Sequence, residues 1–338
     1  MTHPASAPTP EYIFQTLNAY QQTAALKGAI ELGVFTAIGE GCTTAKALAE
    51  RCQTSERGMR ILCDFLVVGR LLAKDGNRYG LTPDAAAFLD RRSPAYLGGT
   101  VHFLGSPMVT DYFKDVAAIV RKGGAVMRPE GTLGAEDPIW IDFARSMVPM
   151  MAPAAQEIAS LIGADGGRKC KVLDIAASHG VFGITIAKQN PNAEIVALDW
   201  PNVLQVAQEN AEAGGVAGRF TTLPGSALEI DYGSGYDIVL LTNFLHHFDA
   251  PICENLLRKV HAALNADGRA VTLEFVPNED RVTPPVAATF SMMMLGSTPS
   301  GDAYTFSEFD RMFRNGGFCR SEIHSLSRSP EQVIISYR

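Results

Sequence analysis

Two histidines in tandem, His246 and His247, close the apolar run 236–244, and Asp249 follows two residues later. An imidazole is well suited to take a proton from a weakly acidic hydroxyl near neutral pH. A nearby carboxylate can fix the tautomer of such a ring, and Asp249 stands within reach to do so. A single histidine at a strand end is commonly structural; a tandem pair beside an acid points to chemistry.

A second cluster lies upstream. Residues 171–176 read as a buried parallel strand, 177–183 as a small-residue turn, 184–188 as helix, and 194–199 as a second apolar strand ending in an acid. Asp174 and Asp199 stand about 25 residues apart, the layout of a nucleotide-binding βαβ unit. Asp199 is placed to accept both hydroxyls of a ribose. A pyrophosphate requires three glycines so that the backbone can close around it at a helix N-terminus. The turn Ala176-Ala177-Ser178-His179-Gly180 retains only Gly180 and, further on, Gly183. That favours a nucleoside cofactor without a pyrophosphate and weakens a nicotinamide oxidoreductase reading.

These residues need a frame. After a linker at 163–167, strand and helix alternate: strands are expected at 171–176, 194–199, 219–224, 236–244, 268–276, 321–327 and 331–337. Alternation implies a doubly wound, mostly parallel sheet, an α/β fold. Only Arg328-Ser329-Pro330 separate the last two strands, too few for a parallel crossover, so they pair antiparallel. In such sheets ligands bind at the carboxyl ends of the strands, which brings His246 and His247 beside the nucleoside. Ahead of this, residues 11–40 carry a broad apolar helical face. Two short helices, at 43–49 and 55–66, then precede a hairpin turning at Asp75-Gly76, which together spell a winged helix. Glu56 and Asp64 stand against Arg57 and Arg60 on its second helix, which favours dimerisation over DNA binding. Residues 96–165 are mostly helical and rich in Met, Phe and Pro; core packing accounts for most of them, and an apolar acceptor pocket fits there too. The expected division is 11–95 winged-helix dimerisation domain, 96–165 helical bridging segment and 166–338 nucleotide-binding domain.

Residues 171–183 resemble the first motif of class I S-adenosylmethionine (SAM)-dependent methyltransferases, with Ala176 and Ser178 in place of two usual glycines. Leu245-His246-His247-Phe248-Asp249 resembles the L-H-D-W-x-D signature of the plant-type and bacterial small-molecule O-methyltransferases, with His247 where aspartate is usual. Asp199-Trp200-Pro201-Asn202-Val203 is similar to that family's D-L-P-x-V motif. The resemblance covers nearly the whole chain. It implies SAM as cofactor, a seven-stranded sheet, a homodimer formed through the N-terminal domain, and a hydroxyl on a small aromatic or polyketide-like molecule as methyl acceptor. It assigns the general base to His246, with Glu274 as its buttress alongside Asp249. Cofactor contacts fall on Asp174, Ala176, Ser178, Gly180, Asp199, Trp200, Gly225, Ser226, Ala227, Thr242 and Asn243. Ser226 replaces a usual aspartate, and Ala303 stands where a second glutamate is expected.

Composition bounds the alternatives. With 338 residues and 46% hydrophobic content the chain can fill two cores, and a net charge of −7 argues against a nucleic-acid partner. No apolar run reaches about 18 residues, so no membrane partner is expected. The six cysteines are scattered without a C-x-x-C pair and read as reduced thiols of a cytoplasmic protein. Residues 1–10 read as unstructured. Two further readings stay open: metal-assisted C-methylation of a 2-oxo acid, and a catalytically inactive methyltransferase-like sensor or scaffold. For the first, no clear third histidine accompanies the pair, so no metal ligands are assigned.

Overall fold

The computed structural model describes residues 8–134 and 136–338; residues 1–7, most of the stretch expected to lack structure, lie outside the described residues. The chain forms two compact units that divide between Ser106 and Pro107.

In the first unit the apolar stretch 11–40 becomes three helices, Glu11–Leu17, Ala19–Glu31 and Val34–Gly39, rather than one. Gly33 breaks the second from the third by adopting φ +73°, a left-handed conformation that costs other residues strain. Helices Ala45–Cys52 and Glu56–Val68 follow, each capped by the side chain of the residue before it, Thr44 and Ser55. Strands β1 (Leu72–Asp75) and β2 (Arg78–Leu81) complete the winged helix as an antiparallel hairpin. Phe35, Leu48, Met59 and Leu66 fill its core, each such buried side chain contributing about 1.5–3 kcal/mol. Asp64 accepts from Arg60, Lys74 and Tyr79, so an acid ties together the basic groups of helix and wing.

The second unit is organised by seven strands: β3 (Cys170–Ile175), β4 (Ala193–Asp199), β5 (Phe220–Pro224), β6 (Tyr236–Thr242), β7 (Leu264–Glu274), β8 (Arg320–Ser325) and β9 (Gln332–Tyr337). Their order is β5-β4-β3-β6-β7-β9-β8, with β9 antiparallel to both neighbours and all other pairs parallel. Leu173, Ile175, Val239 and Leu241 share a core with Leu256 and Leu257 of helix Ala250–Ala263 and with Phe309 and Phe313 of helix Phe306–Asn315. Helix Val181–Gln189 packs tightly on β4. A Cβ added at Gly183 would lie 2.7 Å from the Ile195 side chain, which explains why this glycine is kept while others in the turn are not. Helices Ile139–Ser146 and Val148–Leu161 belong to this unit; Ala144 packs on Val203 and Val206. Strand β6 ends at Thr242, two residues short of its apolar run, because Asn243 turns to φ +54°.

Candidate active site

Asn243 opens a turn that places a short 3₁₀ segment, Leu245–His247, at the carboxyl end of β6. The neighbouring strand β7 ends in Glu274, which is fully buried. Its Oε1 accepts the backbone N–H of Phe244 (3.1 Å), Leu245 (2.8 Å) and His246 (3.3 Å). Its Oε2 lies 2.5 Å from Nδ1 of His246, itself only 4% exposed. A carboxyl already accepting from three N–H groups is an acceptor toward the ring as well. That assigns the ring proton to Nδ1 and leaves the Nε2 lone pair available. Phe290 meets the ring edge-on at 4.8 Å and stacks on Phe275 at 4.2 Å, forming an aromatic wall beside it. Nothing in the sequence singles out either phenylalanine, although Phe290 stands two residues before the Met-rich stretch 292–294.

Asp249 does not orient either histidine. Its Oδ1 accepts the N–H of Ile252 at 3.0 Å, capping helix Ala250–Ala263. An acid followed two residues later by Pro251 is a helix-start signal, and that local bond takes the carboxylate. His246 and His247 also depart from strand geometry. They occupy a 3₁₀ turn, and their ring centroids lie 4.3 Å apart instead of on opposite faces. His247 meets Trp140 edge-on at 5.3 Å, and its Nδ1 is buried without a partner. Burial and the His246 ring hold the His247 imidazole well below its ordinary pKa, so it stays neutral. Ala303 is buried and brings no carboxyl. Among the described residues no group of three or more His, Cys, Asp or Glu is placed to hold a metal ion; Nδ1 of His246 is committed to Glu274.

The nucleoside loop gathers at the carboxyl ends of β3, β4 and β5. Asp199 Oδ2 accepts the N–H of Ser178 at 2.8 Å and Oδ1 that of Trp200 at 2.7 Å. Each carboxylate oxygen keeps a second lone pair, and the residue is only half-buried, so it can still accept from a ribose diol. Burial pushes its carboxyl up to about 6. Ala176 and Ser178 adopt φ +55° and +51°, the left-handed region that glycine normally supplies. The loop thus keeps its backbone shape while carrying side chains, at about 1–2 kcal/mol of strain per residue. Ser178 Oγ is buried without a partner, an unmet polar group in this loop.

Gly225 donates its N–H to the Asp199 carbonyl at 2.9 Å. Ser226 Oγ accepts the Leu228 N–H, and Ala227 is buried beside them. Trp200 is half-buried against the Val203–Val206 cluster. Gly180 caps helix Val181–Gln189 at φ +70°. Asp174 lies beneath the loop, fully buried, holding the Gly183 N–H at 3.1 Å and pushed by burial to about 7. Thr242 is buried, and Asn243 directs Nδ2 toward Met151 Sδ at 3.6 Å. Sequence reasoning passed over His179. Its Nδ1 accepts the Val181 N–H at 3.2 Å, and burial lowers its pKa to about 4.

Comparison with known proteins accords with this arrangement. An O-methyltransferase domain matches residues 167–319, and an O-methyltransferase dimerisation domain matches residues 14–91. A solved structure from Nostoc punctiforme PCC 73102 that carries an O-methyltransferase assignment is 54% identical, covers 98% of this chain and 100% of its own, and superposes with a TM-score of 0.96. The 3-hydroxy-5-methyl-1-naphthoate 3-O-methyltransferase of Streptomyces sahachiroi is 27% identical over 88% of this chain and 86% of its own length. The tetracenomycin polyketide synthesis 8-O-methyl transferase of Streptomyces glaucescens is 25% identical over 96% of each chain. The chain belongs to the O-methyltransferase family, with an N-terminal dimerisation domain. It is an enzyme whose methyl donor is SAM.

Proposed function

We propose that this enzyme methylates a hydroxyl of a small aromatic or polyketide-like molecule, with His246 as general base. The observation that carries the reading is the His246–Glu274 pair, which leaves Nε2 of a buried, oriented imidazole as the acceptor of the hydroxyl proton. SAM, when bound, supplies a methyl group already activated by its sulfonium, so what remains is alignment, water exclusion and removal of one proton. Asp199 would hold the ribose through its free lone pairs, with Ser178, Gly225 and Ser226 around it. Phe290 and Phe275 would flank a flat acceptor beside the base, and the fixed Nδ1 proton would hold the ring as Nε2 takes up the hydroxyl proton. The hydroxynaphthoate and tetracenomycin relatives support an aromatic acceptor.

A homodimer formed through the first unit is part of the same proposal. Tyr12, 78% exposed, together with Ile13, Phe14, Leu17 and Tyr20, leaves an apolar surface that a second copy would cover. A cytoplasmic location fits six free cysteines, and among the described residues no helix is long and apolar enough to cross a membrane. Methyl-labelled SAM incubated with 3-hydroxy-5-methyl-1-naphthoate and a panel of phenolic polycycles tests the reaction. Products one methyl group heavier, with the label on oxygen, are expected. Label on carbon, or transfer that stops on adding a chelator, would contradict it.

A further inference from the structure

Three neighbouring strands converge behind His246: β6 through Asn243, β7 through Glu274 and β9 through Gln332, which pairs directly with Glu274. The residue before Gln332 is a second buried acid, Glu331, 3% exposed. Its Oε2 accepts the Ser329 hydroxyl at 2.7 Å, and Ser329 Oγ accepts the Glu331 N–H at 3.2 Å. Its other oxygen, Oε1, is buried and unpartnered, and so is Oδ1 of Asn243, whose side chain lies within hydrogen-bonding reach of the Glu331 carboxyl.

Two unpartnered acceptor oxygens on neighbouring side chains are both accounted for when the Asn243 amide is turned over. With Nδ2–H donated to Glu331 Oε1, and Oδ1 beside the weakly polar Met151 sulfur, the carboxyl of Glu331 is satisfied on both oxygens. A buried acid is costly unless its oxygens are hydrogen-bonded, so the partners of this one are held to it. What it holds is Asn243, whose left-handed backbone starts the turn that aims three N–H groups and the His246 ring at Glu274. The Asn243 N–H is already fixed on the Leu273 carbonyl at 2.8 Å, so its amide is the remaining handle on the turn.

We infer that Glu331, from the hairpin that ends the chain, is a positioning residue for methyl transfer, acting through Asn243 on the turn that carries His246. The inference rests on His246 being the base. It is tested with Glu331→Ala, Glu331→Gln and Asn243→Gly, the last keeping φ +54° accessible while removing the amide. Each is assayed for SAM affinity by calorimetry, for melting temperature, and for kcat and acceptor KM with the phenol methylated fastest by the wild type.

Glu331→Ala is expected to bind SAM within about threefold of wild type, and both Glu331→Ala and Asn243→Gly, assayed at saturating SAM, are expected to lose about 10- to 100-fold in kcat with little change in acceptor KM, the size of effect that small misplacement of a reacting group produces. Glu331→Gln, able to accept from Asn243 and donate to Ser329, restores most of kcat. The double variant is no slower than the slower single one. Wild-type kcat in Glu331→Ala overturns the inference. If Glu331→Ala is too unstable to assay, wild-type kcat in Asn243→Gly overturns it equally, as does a Glu331→Gln enzyme that folds normally yet gains nothing over Glu331→Ala. His246→Ala in the same series separates the two claims. If it is slow while Glu331→Ala is fast, only the present inference fails; if His246→Ala turns over normally, both fail.

Discussion

Glu274 Oε2 lies 2.5 Å from His246 Nδ1, while the other oxygen of the same carboxyl gathers the N–H groups of residues 244, 245 and 246. One side chain therefore shapes the turn and orients the ring that the turn carries. Substituting Glu274→Gln keeps the volume but replaces one acceptor oxygen by an N–H₂ group. A buried donor or acceptor left unmatched costs about 1–3 kcal/mol. The variant is expected to melt earlier and to transfer methyl at least about tenfold more slowly, with SAM affinity retained. Calorimetry, thermal melting and labelled-methyl turnover check the three parts separately.

Asp249 shows how a neighbouring acid can be excluded from the same role. Its carboxylate caps a helix, so Asp249→Ala is expected to cost about 0.5–2 kcal/mol of stability while kcat stays within about threefold of wild type. A loss of turnover as large as that of Glu274→Gln, in a chain of unchanged melting temperature, would return Asp249 to the ring.

Much of this arrangement is legible in the sequence, for identifiable reasons. The buried runs of β3, β4 and β6, the acid ending β4 and the short link before β9 are local signals, and β3, β4 and β6 formed within two residues of their expected limits, whereas β7 begins four residues earlier than expected and six residues, not three, separate β8 from β9. What local pattern could not give is the end of β6. The run continues apolar through Phe244, yet the chain leaves the sheet at Asn243 because Glu274, thirty-one residues later, collects the freed N–H groups. The same non-local bond places His246 and His247 on a 3₁₀ turn, where strand alternation no longer separates them. Glu331 lay hidden for a similar reason: in sequence it is an acid beside a proline in a surface-like hairpin, and only strand order buries it. Ala176 and Ser178 mark the reverse case. The expected glycines are absent, but the backbone keeps their left-handed shape.

The Asp199 carboxyl gives SAM binding a pH dependence. Burial raises it to about 6, and only the carboxylate accepts both ribose hydroxyls. The charged form predominates above that value and is lost below it, so affinity should fall about tenfold between pH 7 and pH 5. The same raised value means that the folded chain without SAM holds this proton more tightly than the unfolded chain. This group's contribution to stability is therefore full at low pH and lost as pH rises through about 6. The gain in Tm conferred by SAM should shrink on acidification, whichever other groups titrate the apoprotein. Calorimetric titrations at pH 5, 6 and 7 check the first statement, and Asp199→Asn should bind weakly and without this dependence.

The exposed apolar side chains of helix Glu11–Leu17 predict association. Replacing Tyr12→Ser, Phe14→Ser and Leu17→Ser together removes apolar surface that is not buried within the chain, so the fold should survive. Light scattering is expected to give twice the chain mass for wild type and a shift toward a single chain for the triple variant. A wild type that scatters as one chain at micromolar concentration would contradict the dimer.

The central claim is that His246 removes the acceptor proton, and single-turnover methyl transfer tests it most directly. Wild type and His246→Ala are each saturated with labelled SAM, mixed with the best phenolic acceptor, and followed by product mass from pH 6 to pH 10. Wild type should transfer rapidly near neutrality. His246→Ala should bind SAM normally and react about 10²- to 10⁴-fold more slowly, recovering as rising pH ionises the phenol without help. Equal rates near neutrality for the two enzymes would contradict the account and leave transfer to proximity and alignment alone.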